Sequence, residues 1–175
     1  MKEKLLRAIL LWCLVIGFAA CANNDNESSS NLPSGDLKIM LQNTGQFYDI
    51  TENPDTAFMK QQANLHYKEQ YSMYFKQDMN HDDEGGEAFM QRVCILFRGF
   101  DRPTVLVTEG YQWEGFRDIK DLAANLDANV VDVEHRNFGK SYNQDQGKWQ
   151  YQTIAQASAD LHAIYQAMKP VFIDR

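Results

Sequence analysis

Two short apolar runs, each followed by residues at helical spacing, limit the fold of this chain more than any other feature. Pro103-Thr-Val-Leu-Val-Thr108 is unbroken, as expected of a strand buried on both faces. Ile119, Leu122, Ala123 and Leu126 then repeat with the period of a helix. Asn129-Val-Val-Asp-Val133 is a second buried-strand candidate, with Asp132 interrupting its apolar run. Behind it, Thr153 and Gln156 form a capping box, and Ile154, Ala157, Leu161, Ile164, Tyr165 and Met168 lie on one helical stripe. Pro170 is expected to end that helix, because proline lacks the N–H and clashes with the preceding turn.

Upstream, Gln46–Thr51 and Gln70–Lys76 hold short aromatic-rich runs suited to strands. An acidic loop from Asp78 to Glu87, containing Gly85 and Gly86, separates the second of these from a strand-like run, Ala88–Phe97. The flanking strands are expected to form an antiparallel hairpin. Hairpin, strand, helix, strand, helix is the opening of an α/β fold with right-handed parallel crossovers. The last helix should return to a third parallel strand, and only Val171–Arg175 remain for it. The sheet is therefore expected to be unfinished at its C-terminal end.

The N-terminus reads as an address. Lys2, Lys4 and Arg7 precede a 13-residue apolar stretch, Ala8–Ala20, too short to span a bilayer. It ends in Ala19 and Ala20 directly before Cys21, a pattern that resembles a bacterial lipoprotein signal, although Phe18 stands where such signals usually carry Leu. On that reading residues 1–20 are removed, Cys21 is lipidated, and the protein is anchored to a membrane on its periplasmic or surface side. An ordinary secretory signal with an incidental cysteine is the plainer alternative. Residues 21–36 (CANNDNESSSNLPSGD) have too few apolar side chains to order themselves and read as a flexible tether, leaving 37–175 as the globular part. With Cys13 lost and Cys21 spent on lipid, Cys94 alone remains, so no disulfide staples the fold.

Charge excludes one class of partner. With 17 Lys and Arg against 24 Asp and Glu, a net charge of -7, the chain lacks the basic surface that nucleic acid requires. Motif by motif, most chemistry is excluded as well. Gly139-Lys140-Ser141 has the tail of a phosphate-binding loop, but Glu134 occupies the first glycine position. Asp78-x-Asn80-x-Asp82 begins like a calcium loop, yet Asp83 and Phe89 stand where glycine and the closing carboxylate belong. His66, His81, His135 and His162 form no metal-binding pair, and neither a metal nor a cofactor is called for. Cys94 lies in an apolar strand and reads as a structural thiol. None of the seven serines lies in a G-x-S-x-G turn.

Two loops directly after the predicted strand ends remain, where open α/β sheets place their ligands: Thr108–Gln112 and Glu134–Ser141. In the second, Arg136 is expected to tie the loop down by hydrogen bonds, Gly139 to permit a turn, and Ser141 to bond its own backbone. Glu134, His135, Arg136, Gly139 and Ser141 thus read as scaffold rather than chemistry.

The succession of Phe89-Met-Gln-Arg92, Val107-Thr-Glu-Gly-Tyr111, Val133-Glu-His-Arg-Asn-Phe-Gly-Lys-Ser141 and a long helix carrying Asp160 and His162 resembles a peptidase family. It is similar to the secreted bacterial tripeptidyl aminopeptidases, serine peptidases of the α/β-hydrolase fold. More distantly it is similar to prolyl carboxypeptidase and the dipeptidyl peptidases related to it. The resemblance runs from about Tyr71 to Arg175, roughly two thirds of the mature chain.

The resemblance implies an incomplete α/β-hydrolase fold in which Thr104–Thr108 is the third strand. It places oxyanion-stabilising backbone N–H groups at Gly110 and Tyr111, a tight turn needing glycine being the plainer reading of Gly110. An aminopeptidase must also hold the substrate's α-ammonium, for which Glu109 and Glu114 are candidates by position. In the family the nucleophilic serine follows the next strand, and the acid and histidine come later still. These residues are therefore expected to form the N-terminal portion of an exported aminopeptidase acting on peptides, to carry none of the triad, and to be inactive alone. A non-catalytic surface lipoprotein that binds peptide or a partner protein is the alternative.

Overall fold

A computed structural model of the chain describes residues 36–52, 66–83, 85–108, 110–111, 113, 121–141 and 149–172. The proposed signal, Cys21, and the tether up to residue 35 lie outside them. The described part begins with a helix absent from the sequence expectations, α1 (Leu37–Asn43). Asp36 caps it, its carboxylate accepting from Lys38 N (2.9 Å) and Ile39 N (3.4 Å). Strands β1 (Phe47–Glu52), β2 (Glu69–Asp78) and β3 (Ala88–Phe97) follow. Next come β4 (Thr104–Thr108), α2 (Asp121–Asn125), β5 (Asn129–Val133) and α3 (Ile154–Phe172), with short 3-10 turns at Gly139–Ser141 and Trp149–Tyr151.

The five strands make one mixed sheet in the order β1-β2-β3-β5-β4. β2 and β3 are the expected hairpin, in register from Glu69 opposite Phe97 to Asp78 opposite Ala88. β5 inserts between β3, to which it is antiparallel, and β4, to which it is parallel. Insertion decides burial. Every residue of β5 is buried, Asp132 included. β4, expected to be buried on both faces, is half-exposed along its length, because among the described residues no strand pairs with its outer side. Asn129 fixes the turn that carries β3 into β4: its Oδ1 accepts from Arg98 N (2.8 Å) and Gly99 N (3.2 Å), and its Nδ2 donates to Gly99 O (3.0 Å).

Alternation along the strands sorts the core into two faces. Val131 and Val133 of β5 join Met73, Phe75, Val93 and Ile95 under α1 and α3. Val130 turns the other way, to Leu96, Tyr67 and Ala123 of α2, with Val105 and Val107 of β4 beside it. α2 and α3 therefore cover opposite faces.

α3 departs from its expected stripe. Its buried side is Gln156, Asp160, Ile164, Ala167, Met168 and Val171, whereas Ile154 is 88% and Tyr165 42% exposed. The stripe is rotated because the first two turns of α3 pack against polar groups, not aliphatic ones. The capping box forms in one direction only: Gln156 N donates to Thr153 Oγ1 (3.2 Å), but the Gln156 side chain reaches the β2–β3 loop instead. Pro170 does not end α3, which runs on to Phe172.

Candidate active site

β4 and β5 end side by side, Thr108 opposite Val133. From there one chain leads to α2 on one face and the other to α3 on the opposite face, so a crevice opens between the strand ends. A cavity of about 390 Å³ lies there, lined by Thr108, Gly110, His135, Thr153, Ala157 and Leu161 among others.

Glu134 sets the shape of this end of the sheet. Its carboxylate is 1% exposed and accepts four hydrogen bonds. Oε1 takes Trp113 N (2.7 Å); Oε2 takes Lys140 N (2.9 Å), Ser141 N (2.8 Å) and Ser141 Oγ (2.9 Å). A buried carboxylate is stable only when hydrogen bonds or a cation replace its lost hydration, and here backbone donors do most of that. One side chain thus pins the chain after β4 to the loop after β5. His135 N to Tyr111 O (3.4 Å) and the edge-on contact of the Tyr111 and Phe138 rings (5.2 Å) join the same two segments. The Arg92 guanidinium covers the Trp113 ring at 4.2 Å.

Arg136 does tie the loop down, and its partners lie far apart in sequence. Its guanidinium grips Asp160 of α3 through Nε (2.7 Å) and Nη2 (2.6 Å), both residues being almost wholly buried. Nη1 donates to Met79 O (3.1 Å) and Tyr151 O (2.8 Å). Asp160 also meets His81 Nε2 (2.7 Å), while Gln77 Nε2 donates to Asp160 O and to Gln91 Oε1 (2.9 Å each). Gln156 Nε2 donates to Asn80 Oδ1 (2.9 Å) and Asp82 Oδ2 (3.2 Å). The acidic loop is therefore fastened to α3. The clue in the sequence was a carboxylate, Asp160, one turn from apolar positions on a helix, which demands a buried partner.

Gly139 takes a left-handed φ of 47°, and Asn137 one of 64°, a conformation that asparagine tolerates better than most residues. Ser141 does not bond its own backbone. Its Oγ donates to Glu134 and accepts from Arg92 N (2.9 Å), so the hydroxyl is fully engaged in structure. His135 Nδ1 lies 2.9 Å from Arg136 O and must donate to it, a carbonyl having no hydrogen to give. His135 and Ser158 share the cavity, yet among the described residues no hydrogen bond joins them. That leaves the pair without the nucleophile–base contact that catalysis needs. Burial pushes the Cys94 thiol up to about 12, which disqualifies it as a nucleophile. Among the described residues, no three His, Cys, Asp or Glu side chains are grouped to hold a metal ion.

At Gly110 the φ is not left-handed, and among the described residues an added Cβ would meet nothing within 4 Å. Gly110 therefore makes no turn that needs a left-handed glycine, and it lines the cavity. Tyr111 is 72% exposed. Glu109 and Glu114 lie outside the described residues.

With the sheet, the cavity and the lacing of the loops described, the sequence can be set beside known proteins. The pattern of PS-10 peptidase S37 covers residues 49–175, and the chain belongs to that peptidase family. It is 30% identical over 171 residues to the prolyl tri/tetrapeptidyl aminopeptidase of Streptomyces mobaraensis, an alignment covering 97% of this chain and 34% of that protein. The similarity to tripeptidyl aminopeptidases read from the motifs is thus shown. The chain spans about a third of the length of that relative.

Proposed function

We propose that these residues form the oxyanion-side wall of an exported serine-type tripeptidyl aminopeptidase built on the α/β-hydrolase fold. The observation that carries the reading is the Glu134 lacing, which holds the segment after β4 in place over a cavity at the strand ends. A backbone donor stabilises a tetrahedral oxyanion only if its position is fixed before the charge develops. Gly110 and Tyr111 sit on the segment that Glu134 and His135 anchor, with Gly110 lining the cavity. Peptide would lie across that cavity, its α-ammonium held by a carboxylate, with Glu109 and Glu114 the candidates.

On this reading the nucleophile, acid and histidine come from outside residues 1–175, in keeping with the lack of any G-x-S-x-G stretch within them. Residues 21–175 alone are expected not to hydrolyse a chromogenic tripeptide, and serine-dependent turnover by the pure segment would refute this. Lipid on Cys21 would hold the enzyme to the membrane. Cys21→Ser is then expected to abolish incorporation of a labelled fatty acid and release the protein from the membrane fraction; labelling that persists would contradict the anchor. The functional test is a chimera in which residues 49–175 replace the matching segment of the Streptomyces mobaraensis enzyme. It is expected to release tripeptides from the amino end of a peptide, and a folded but inactive chimera would count against the wall.

A further inference from the structure

His135 reads as scaffold in the sequence, and its backbone serves that purpose, its N–H donating to Tyr111 O (3.4 Å). The ring is held as firmly as the backbone. Nδ1 donates to Arg136 O (2.9 Å), and the Phe138 ring meets the imidazole edge-on at 5.6 Å. Arg136 is in turn clamped by Asp160, through Nε (2.7 Å) and Nη2 (2.6 Å). Between neighbours that are themselves fixed, the imidazole keeps one orientation.

The other ring nitrogen is unclaimed. Among the described residues no hydrogen bond reaches His135 Nε2, and it is not one of the buried polar atoms left without a partner. An atom neither bonded nor buried is open to solvent, and His135 lines the cavity at the ends of β4 and β5. In a neutral ring with its proton on Nδ1, Nε2 presents a lone pair and can only accept.

The surroundings say what it can accept from. Ile154, Ala157 and Leu161 of α3 line the same cavity. An ammonium brought against them would need a carboxylate to replace its water, and a single neutral acceptor does not supply that. A peptide N–H needs only one acceptor. Thr108 and Ser158 also line the cavity, but both are exposed and their hydroxyls turn to suit either a donor or an acceptor. An acceptor already fixed in place loses little freedom when its donor arrives, which favours His135.

We propose that His135 Nε2 accepts a hydrogen bond from one backbone N–H of the peptide substrate, and that the side chain beside that N–H rests on Ile154, Ala157 and Leu161. The inference rests on the peptidase reading for its ligand and on the ring geometry for its direction. Because His135 N and Tyr111 O join the two segments, the contact would hold the peptide in register with the oxyanion segment. A bond of this kind is made equally in the ground and transition states, so its loss raises KM and leaves kcat alone.

Two substitutions separate the ring nitrogens. His135→Asn keeps a donor near the Nδ1 position and removes the Nε2 acceptor, whereas His135→Gln puts an amide oxygen near the Nε2 position. In the chimera carrying residues 49–175, His135→Asn should raise KM for a chromogenic tripeptide by about three- to tenfold with kcat within about twofold, and His135→Gln should stay closer to the parent. Each backbone N–H of the tripeptide is then replaced in turn by an ester oxygen. One replacement should cost the parent a similar factor in kcat/KM and cost His135→Asn nothing. The chain itself gives a second readout: in nitrogen-labelled histidine spectra, the His135 proton should lie on Nδ1, and the Nε2 signal should move when acetyl-trialanine amide is added. An active chimera whose KM ignores His135→Asn overturns the contact and leaves the peptidase reading standing. So does a fall in kcat at unchanged KM, or an ester scan in which His135→Asn silences no position. If the folded chimera hydrolyses nothing, the chain decides. Movement of the Nε2 signal then supports the contact and counts against the peptidase reading, while a still signal or a proton on Nε2 overturns the contact.

Discussion

Glu134 shows how a residue can be read correctly as scaffold while its task stays hidden. The sequence placed it in a loop after a strand, but its four donors come from positions 113, 140 and 141, and only the fold brings those together. Glu134→Gln replaces one acceptor oxygen by an amide that faces N–H donors. It is expected to destabilise the chain by about 1–3 kcal/mol in urea unfolding, and an unchanged midpoint would show that the lacing contributes nothing. Asp160→Ala goes further, because it strands the buried Arg136 guanidinium, and a loss of about 3–5 kcal/mol is expected in the same assay. Cys94 gives a pH signature. With its folded pKa near 12, the thiol keeps its proton in the folded state while the unfolded chain loses it. Stability should therefore fall as pH rises from about 9 toward 12, and Cys94→Ser should flatten that fall. A slope unaltered by the substitution would refute the assignment. The charged partners in this site were not legible because pairing is set by tertiary contacts, whereas the demand for a partner was legible wherever a polar side chain fell on a buried face.

Elements were legible where their chemistry is local. The hairpin of β2 and β3, the run of β5 and the start of α3 all follow from periodicity, turn residues and capping. Neighbours decided the rest. Thr104–Thr108 and Asn129–Val133 look alike as sequence, yet one is an edge and the other a centre, because strand order is invisible to composition. α1 escaped notice as a seven-residue helix with little periodicity to display, although Asp36 supplied its cap. α3 continues past Pro170 to Phe172, which the sequence did not foretell. Its N-terminal cap is single-sided, so Thr153→Ala should cost about 0.5–2 kcal/mol by thermal unfolding. A change well under that range would mean that the Gln156 contacts to the acidic loop hold the first turn by themselves.

For the whole molecule, the class of fold was legible, because an alternation of strands and helices admits few layered arrangements. The oxyanion role proposed for Gly110 and Tyr111 rests on the family resemblance, since a Gly-Tyr pair after a strand has no distinctive chemistry of its own. The structure adds that this segment is held by a buried carboxylate beside a cavity. Tyr111→Pro, introduced into the chimera with the Streptomyces mobaraensis enzyme, removes one backbone N–H and leaves the triad of the host intact. The steady-state kinetics of tripeptide release by that variant should show kcat lower by about 10² to 10³ with KM little changed. An unchanged kcat would contradict the oxyanion role of the segment after β4.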